Sequence, residues 1–362
     1  MSGRGGIRRV AINTGGGDAP GLNAVLRAAT LAGLRNGWEV LGIRRGYQGL
    51  LQAEVDGEPG LAPLTAARVS GITHLGGTIL GTTSRGCAFG LEGRPAGDVE
   101  AAVEVVRRFR ELEVDALVAI GGDGSLTAAS LLAGAGLPVV GVPKTIDNDL
   151  GATDATFGFQ TAVETATDAI GRLHSTAEAH RRVMVVEVMG RHAGWIALES
   201  GLAGGADVIL VPEIPYSLES IVAKVREREA AGLRFSIVVA AEGAVPRGGA
   251  PSFLAGTRRY GGIADRLAEE LERASGKETR SLVLGHIQRG GAPTPFDRNL
   301  ALRFGAAAVR YVEERRFGCM VALRGGSIEG VPLGDAVREN RRVPLDGDLV
   351  RTARQLGISL GD

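Results

Sequence analysis

With 362 residues the chain exceeds a single ordinary core of ~100–200 residues, which excludes a small stapled scaffold and predicts one large two-lobed unit or two domains. Lys+Arg and Asp+Glu both number 41, so the basic excess of a nucleic-acid binder is missing, while 44% hydrophobic residues and 56 glycines supply an aliphatic, loop-rich chain. Two cysteines, Cys87 and Cys319, exclude a disulfide framework or zinc cluster, no apolar run reaches the ~18 residues of a membrane span, and residues 1–9 lack an export-type apolar stretch, so a cytoplasmic protein that meets neither membrane nor nucleic acid is expected.

In chain order, an aliphatic strand at 8–13 leads into a glycine-rich loop and a helix at 19–34. A helix at 99–113 precedes a strand at 114–121, a second glycine loop and a strand at 137–142. A polar loop at 145–157 then gives way to a helix at 160–173 and a strand at 182–189. Strands at 207–211, 235–241 and 280–285 alternate with helices at 218–231 and 263–274. Such alternation predicts an α/β fold: two Rossmann-like three-layer αβα lobes with mostly parallel sheets. No linker or internal repeat divides the chain, and the lobe change falls near the 145–157 loop. In open α/β sheets ligands bind outside the carboxyl ends of strands, so the loops there are the ones to search.

Four of those loops carry chemistry. Thr14-Gly15-Gly16-Gly17-Asp18-Ala19-Pro20-Gly21 lets backbone approach an anion at a helix N-terminus, although its spacing is not that of a Walker loop, and Asp18 with Pro20 also fits a plain capped turn. Gly121-Gly122-Asp123-Gly124-Ser125 places a carboxylate suited to Mg2+, which prefers one or two carboxylates plus phosphate oxygens; alone it also reads as a helix cap. Pro143-Lys144-Thr145-Ile146-Asp147-Asn148-Asp149 offers a carboxylate to take a hydroxyl proton in phosphoryl transfer, or an Asx-turn cluster. Only three of the 41 cationic side chains are lysines, so Lys144 marks a place for a compact point charge. The fourth group is Arg181-Arg182, Met189-Gly190-Arg191, Glu242, Glu278-Thr279-Arg280 and His286-Ile287-Gln288-Arg289. Arginine forks with a carboxylate suit a phosphorylated polyol, whereas each arginine alone reads as a surface residue.

The ordered set TGGGDAPGLN, GGDGS, PKTIDND, MGRHAGW, ETR and LGHIQRGG resembles the 6-phosphofructokinase family from about residue 7 to 316. GGDG is shared with NAD and lipid kinases, which would have no use for Arg182, Arg191 and Arg280. A non-catalytic sugar-phosphate sensor would be expected to lack Asp147 or Asp123. The resemblance implies phosphoryl transfer from ATP to the 1-hydroxyl of fructose 6-phosphate with Mg2+, in the glycolytic direction. It implies a donor lobe of residues 1–158 plus about 288–335 and a sugar-phosphate lobe of 159–287 plus about 336–362. By the same resemblance Asp147 is the general base, Thr145 contacts substrate beside it and Arg191 stabilises the transferring phosphoryl. Asp123 is the magnesium aspartate, assisted by Asp149. Gly16, Arg85, Gly122, Asp123, Gly124, Ser125 and Lys144 contact the donor, and Met189, Gly190, Glu242, His286 and Arg289 contact the sugar phosphate. Arg182 and Arg280 reach a neighbouring subunit's site, which implies a homo-oligomer, dimer or tetramer. Pyrophosphate is the alternative donor: Gly124 matches ATP enzymes, whereas Lys144 adds a charge that pyrophosphate could use. By the same resemblance Arg27 keeps one position of the family's effector phosphate site, whereas Leu31 and His174 stand where further arginines would be expected, so control by ADP and phosphoenolpyruvate is expected to be weak or absent. The tail beyond Val331, with its charges at 338–342, reads as a solvated face, and His192, Trp195 and His74 carry no assignment.

Overall fold

The computed structural model describes residues 6–83, 99–254, 257 and 259–362; Arg85 and Cys87 lie outside them. The strands are β1 (Arg9–Thr14), β2 (Glu39–Ile43), β3 (Glu54–Val55), β4 (Glu58–Pro59), β5 (Leu61–Pro63), β6 (Ala116–Gly121), β7 (Val139–Pro143), β8 (Val183–Val188), β9 (Val208–Leu210), β10 (Ser236–Ala241), β11 (Thr279–Val283), β12 (Cys319–Arg324) and β13 (Ser327–Pro332). The helices are α1 (Leu22–Arg35), α2 (Gln48–Leu51), α3 (Val99–Glu111), α4 (Asp123–Gly134), α5 (Phe159–His180), α6 (Trp195–Ala203), α7 (Leu218–Ala230), α8 (Ile263–Ser275), α9 (Pro295–Glu313), α10 (Leu333–Ala336) and α11 (Asp348–Gln355). They form two compact units: Met1–Ile146 with Leu150–Gln160 and Arg289–Asn340, and Asp147–Asp149 with Thr161–Gln288 and Arg341–Asp362.

The first unit holds a seven-stranded sheet in the order β13-β12-β7-β6-β1-β2-β5. Its centre is parallel, and the two edges, β13 on β12 and β5 on β2, are antiparallel. Period-two alternation sends Val10, Ile12, Val118 and Ile120 to one face, under α1 and α9, and Ala11, Leu117 and Ala119 to the other, under α3 and α4. Both faces are covered, which explains why these strands read as continuous aliphatic runs.

The second unit has a four-stranded, wholly parallel sheet, β11-β8-β10-β9. Helices α7 and α8 cover the face bearing Val183, Val185, Val208 and Val238, while α6 seats Gly201 on Ile209 of the opposite face. The mostly parallel αβα architecture expected from the sequence is therefore present. Strand β2, the β12–β13 hairpin and helices α6 and α9 are additions to that reading. Strand β2 is five residues long, and the hairpin turns at Gly325-Gly326, both with positive φ.

Candidate active site

In the first unit the loops after β1, β6 and β7 form one bonded assembly. The Gly15 N–H donates to the Ile120 carbonyl (2.9 Å), and the Lys144 N–H to the Gly121 carbonyl (2.9 Å). Ser125 packs where side chains on Gly15 or Gly121 would stand: a Cβ on either would lie 2.6 or 2.2 Å from it, so only glycine lets the two loops stack. Gly16 adopts φ 77°, donates to the Thr83 carbonyl (3.2 Å) and accepts from the Thr82 hydroxyl (2.6 Å). Lys144, only 3% exposed, turns its ammonium onto the Gly17 carbonyl. The Arg289 guanidinium donates to the Asp18 carbonyl at 3.0 Å. Asp123 opens α4 on the surface, behind Gly122 at the N-cap. Gly124 has nothing within 4 Å of the position its Cβ would take.

No group of three or more His, Cys, Asp or Glu side chains converges among the described residues.

In the second unit the ends of β8 and β10 and the short run 147–149 meet. Burial, with the neighbouring Asp147 charge, pushes the Glu242 carboxyl up to about 7, against the pull of Arg191 and a hydrogen bond from the Gly190 N–H. Asp147 and Arg191 thus both act electrostatically on Glu242 within a single unit. Asn148, between Asp147 and Asp149, is 3% exposed and holds φ 52°, an unusual backbone for a non-glycine residue. Gln288, quoted only as part of a motif, is fully buried and accepts from the Met189 N–H (3.3 Å) while donating to the Gly285 carbonyl (3.0 Å). It anchors the turn carrying the exposed His286 to the turn carrying Arg191.

Arg182 and Arg280 stand apart from this group. They share Glu278, at 2.8 and 2.6 Å, by the amino ends of β8 and β11. Glu242 follows β10 at the carboxyl end, a strand length of about 20 Å away. Arg289, read beside the sugar-phosphate residues, groups with the first unit and its Asp18 loop. The Gly17 carbonyl, like that of Gly16, is held by a side chain; Lys144 carried the signal for it in the sequence, as a rare lysine at a strand end. No helix among the described residues is long and apolar enough to cross a membrane.

The family model described as phosphofructokinase matches residues 9–312. The ATP-dependent 6-phosphofructokinase of Chloroflexus aggregans is 52% identical over 355 residues, 98% of each chain. The pyrophosphate--fructose 6-phosphate 1-phosphotransferase of Amycolatopsis methanolica is 51% identical over 344 residues, 93% of this chain and 96% of its own. The crystal structure of Pichia pastoris phosphofructokinase in the T-state superposes with a TM-score of 0.80 at 34% identity, over 93% of this chain and 36% of that one.

Proposed function

The chain belongs to the phosphofructokinase family, and from that premise we propose that its first unit holds a phosphoryl donor, ATP, and its second unit the acceptor, fructose 6-phosphate. The observation that carries this reading is the placing of Asp147, a base, and Arg191, a charge stabiliser, both within electrostatic reach of Glu242, a hydroxyl partner. Asp147 takes the proton of the acceptor 1-hydroxyl. The acceptor's 1-oxygen forms a bond to the γ-phosphorus as the bond from that phosphorus to the β,γ-bridging oxygen breaks, and ADP leaves. Arg191 meets the charge that spreads over the transferring oxygens, and Thr145 lies beside the acceptor. Glu242, with Met189, Gly190 and His286, holds the sugar phosphate. The loops at Gly16 and 122–125, together with Arg85 and Lys144, contact the donor. Asp123, aided by Asp149, would hold Mg2+, which when bound neutralises donor phosphate charge.

The open space at Gly124 favours a nucleotide: an aspartate there would crowd and repel its phosphates. Lys144 adds charge nearby, yet its ammonium already donates to Gly17. Pyrophosphate is the second reading, supported by the Amycolatopsis relative's name. Arg182 and Arg280, remote from Glu242 in their own chain, suit contribution to a neighbouring subunit's sugar-phosphate pocket in a cytoplasmic homo-oligomer. The deciding assay measures fructose 1,6-bisphosphate from fructose 6-phosphate and Mg2+ with ATP and with pyrophosphate in parallel. Product with ATP alone is expected; product with pyrophosphate alone overturns the donor assignment, and product with neither overturns the activity.

A further inference from the structure

Three segments of the second unit, far apart in sequence, converge around the run that carries Asp147. The Arg341 N–H donates to the Asp149 carbonyl at 2.8 Å. The Arg341 carbonyl accepts from the Trp195 indole Nε1–H at 3.0 Å, and its guanidinium lies over the same indole, 4.4 Å from the ring centroid. One residue before Trp195, the Gly194 N–H donates to both oxygens of Glu213 (3.1 and 3.2 Å). Glu213 Oε1 also accepts from the Val343 N–H at 2.8 Å. Gly194 and Trp195 close the turn that bears Arg191. Segment 341–343 is thus bonded on one side to the Asp147 run and on the other to the Arg191 turn. Asn148, in its left-handed conformation, needs such bracing, because a sparsely populated backbone persists only where its surroundings over-determine it.

We propose that segment 341–343, with Glu213 and Trp195, is a strap that sets Asp147 against Arg191, making Arg341, Trp195 and Glu213 positioning residues for phosphoryl transfer. The charged tail is accordingly not only a solvated face. This rests on the reading of Asp147 as the base and Arg191 as the charge stabiliser. A hydroxyl proton and a transferring phosphoryl must be met at once, and a misplacement of about 1 Å costs on the order of 10²-fold in rate. Substrate grip by Glu242 comes from the end of β10, which the strap's hydrogen bonds do not touch, so loosening the strap lowers turnover more than binding.

The experiment compares Glu213→Ala, Glu213→Gln and Trp195→Phe in the full chain, measuring kcat, the KM for fructose 6-phosphate and Tm. Glu213→Ala is expected to lower kcat about 10-fold or more with KM changed less than about 3-fold, and Glu213→Gln, which keeps an oxygen that accepts from both N–H groups, to recover most of it. Trp195→Phe keeps a ring for Arg341 but lacks the N–H donor, and is expected to lower kcat several-fold. It also provides the reading should Glu213→Ala not fold. A folded Glu213→Ala enzyme with wild-type kcat, a loss that glutamine does not restore, or an unchanged kcat in Trp195→Phe overturns the strap. A wild-type enzyme that makes no product with either donor overturns the functional reading instead.

Discussion

Asp147 and Glu242 are two half-buried carboxylates, and Glu242 lies within electrostatic reach of both Asp147 and Arg191. The Glu242 carboxyl is lifted to about 7 first by desolvation and then by Asp147, with Arg191 opposing. Asp147 is the group that Asp147→Ser tests: kcat should fall about 10²–10⁴-fold, the ordinary contribution of a general base, with the KM for fructose 6-phosphate nearly unchanged. Near-wild-type turnover removes it from that role. For Glu242 the consequence is a pH dependence of stability. The folded carboxyl keeps its proton to about pH 7, whereas the unfolded one loses it near 4.5, so this contribution is complete below pH 4.5 and is lost as pH rises through 7. The Glu242→Gln variant does not titrate, and its Tm relative to wild type should climb between those values in the absence of substrate. A difference that stays flat with pH would refute the buried, coupled carboxyl.

At the scale of elements, the three loops after β1, β6 and β7 are tied together, and Lys144 makes two of the ties. The Lys144 backbone holds the loop after β6 through Gly121, and its side chain holds the loop after β1 through Gly17. Lys144→Met removes a hydrogen bond from a charged donor, about 1.5 kcal/mol or more, and should raise the donor KM about 10-fold while moving the fructose 6-phosphate KM little. A wild-type donor KM in that variant would show the two loops to be held without it. Much of this level was legible in the sequence: aliphatic runs located most strands within a few residues, and the loaded loops do follow β1, β6, β7, β8 and β10. The omissions have physical causes. Strand β2 is short and interrupted by Gly42, and the β12–β13 hairpin is an antiparallel edge added to a parallel sheet, which the βαβ rhythm does not announce.

For the whole molecule, control by effectors is expected to be weak. Arg27 donates to the Val69 carbonyl at 3.1 Å, and His174 pairs with the Gly204 carbonyl at 2.7 Å and meets Phe235 edge-on. Neither stands ready as part of a multi-cation phosphate site, so fructose 6-phosphate saturation curves should be superimposable with and without ADP or phosphoenolpyruvate; a clear shift by either would sink the expectation. The sequence by itself determined the α/β layering, the family and the identity of the chemical groups. Those depend on local pattern: uniform burial writes continuous aliphatic runs, and backbone–phosphate approach writes glycines at strand ends. Only the tertiary structure decided which groups hold one another. Lys144 meets Gly17 across 127 positions, Trp195 meets Arg341 across 146, and Val343 meets Glu213 across 130. Such pairs form because sheet order and helix packing bring distant segments together, and no local periodicity records which distant backbone carbonyl or carboxylate a side chain will face.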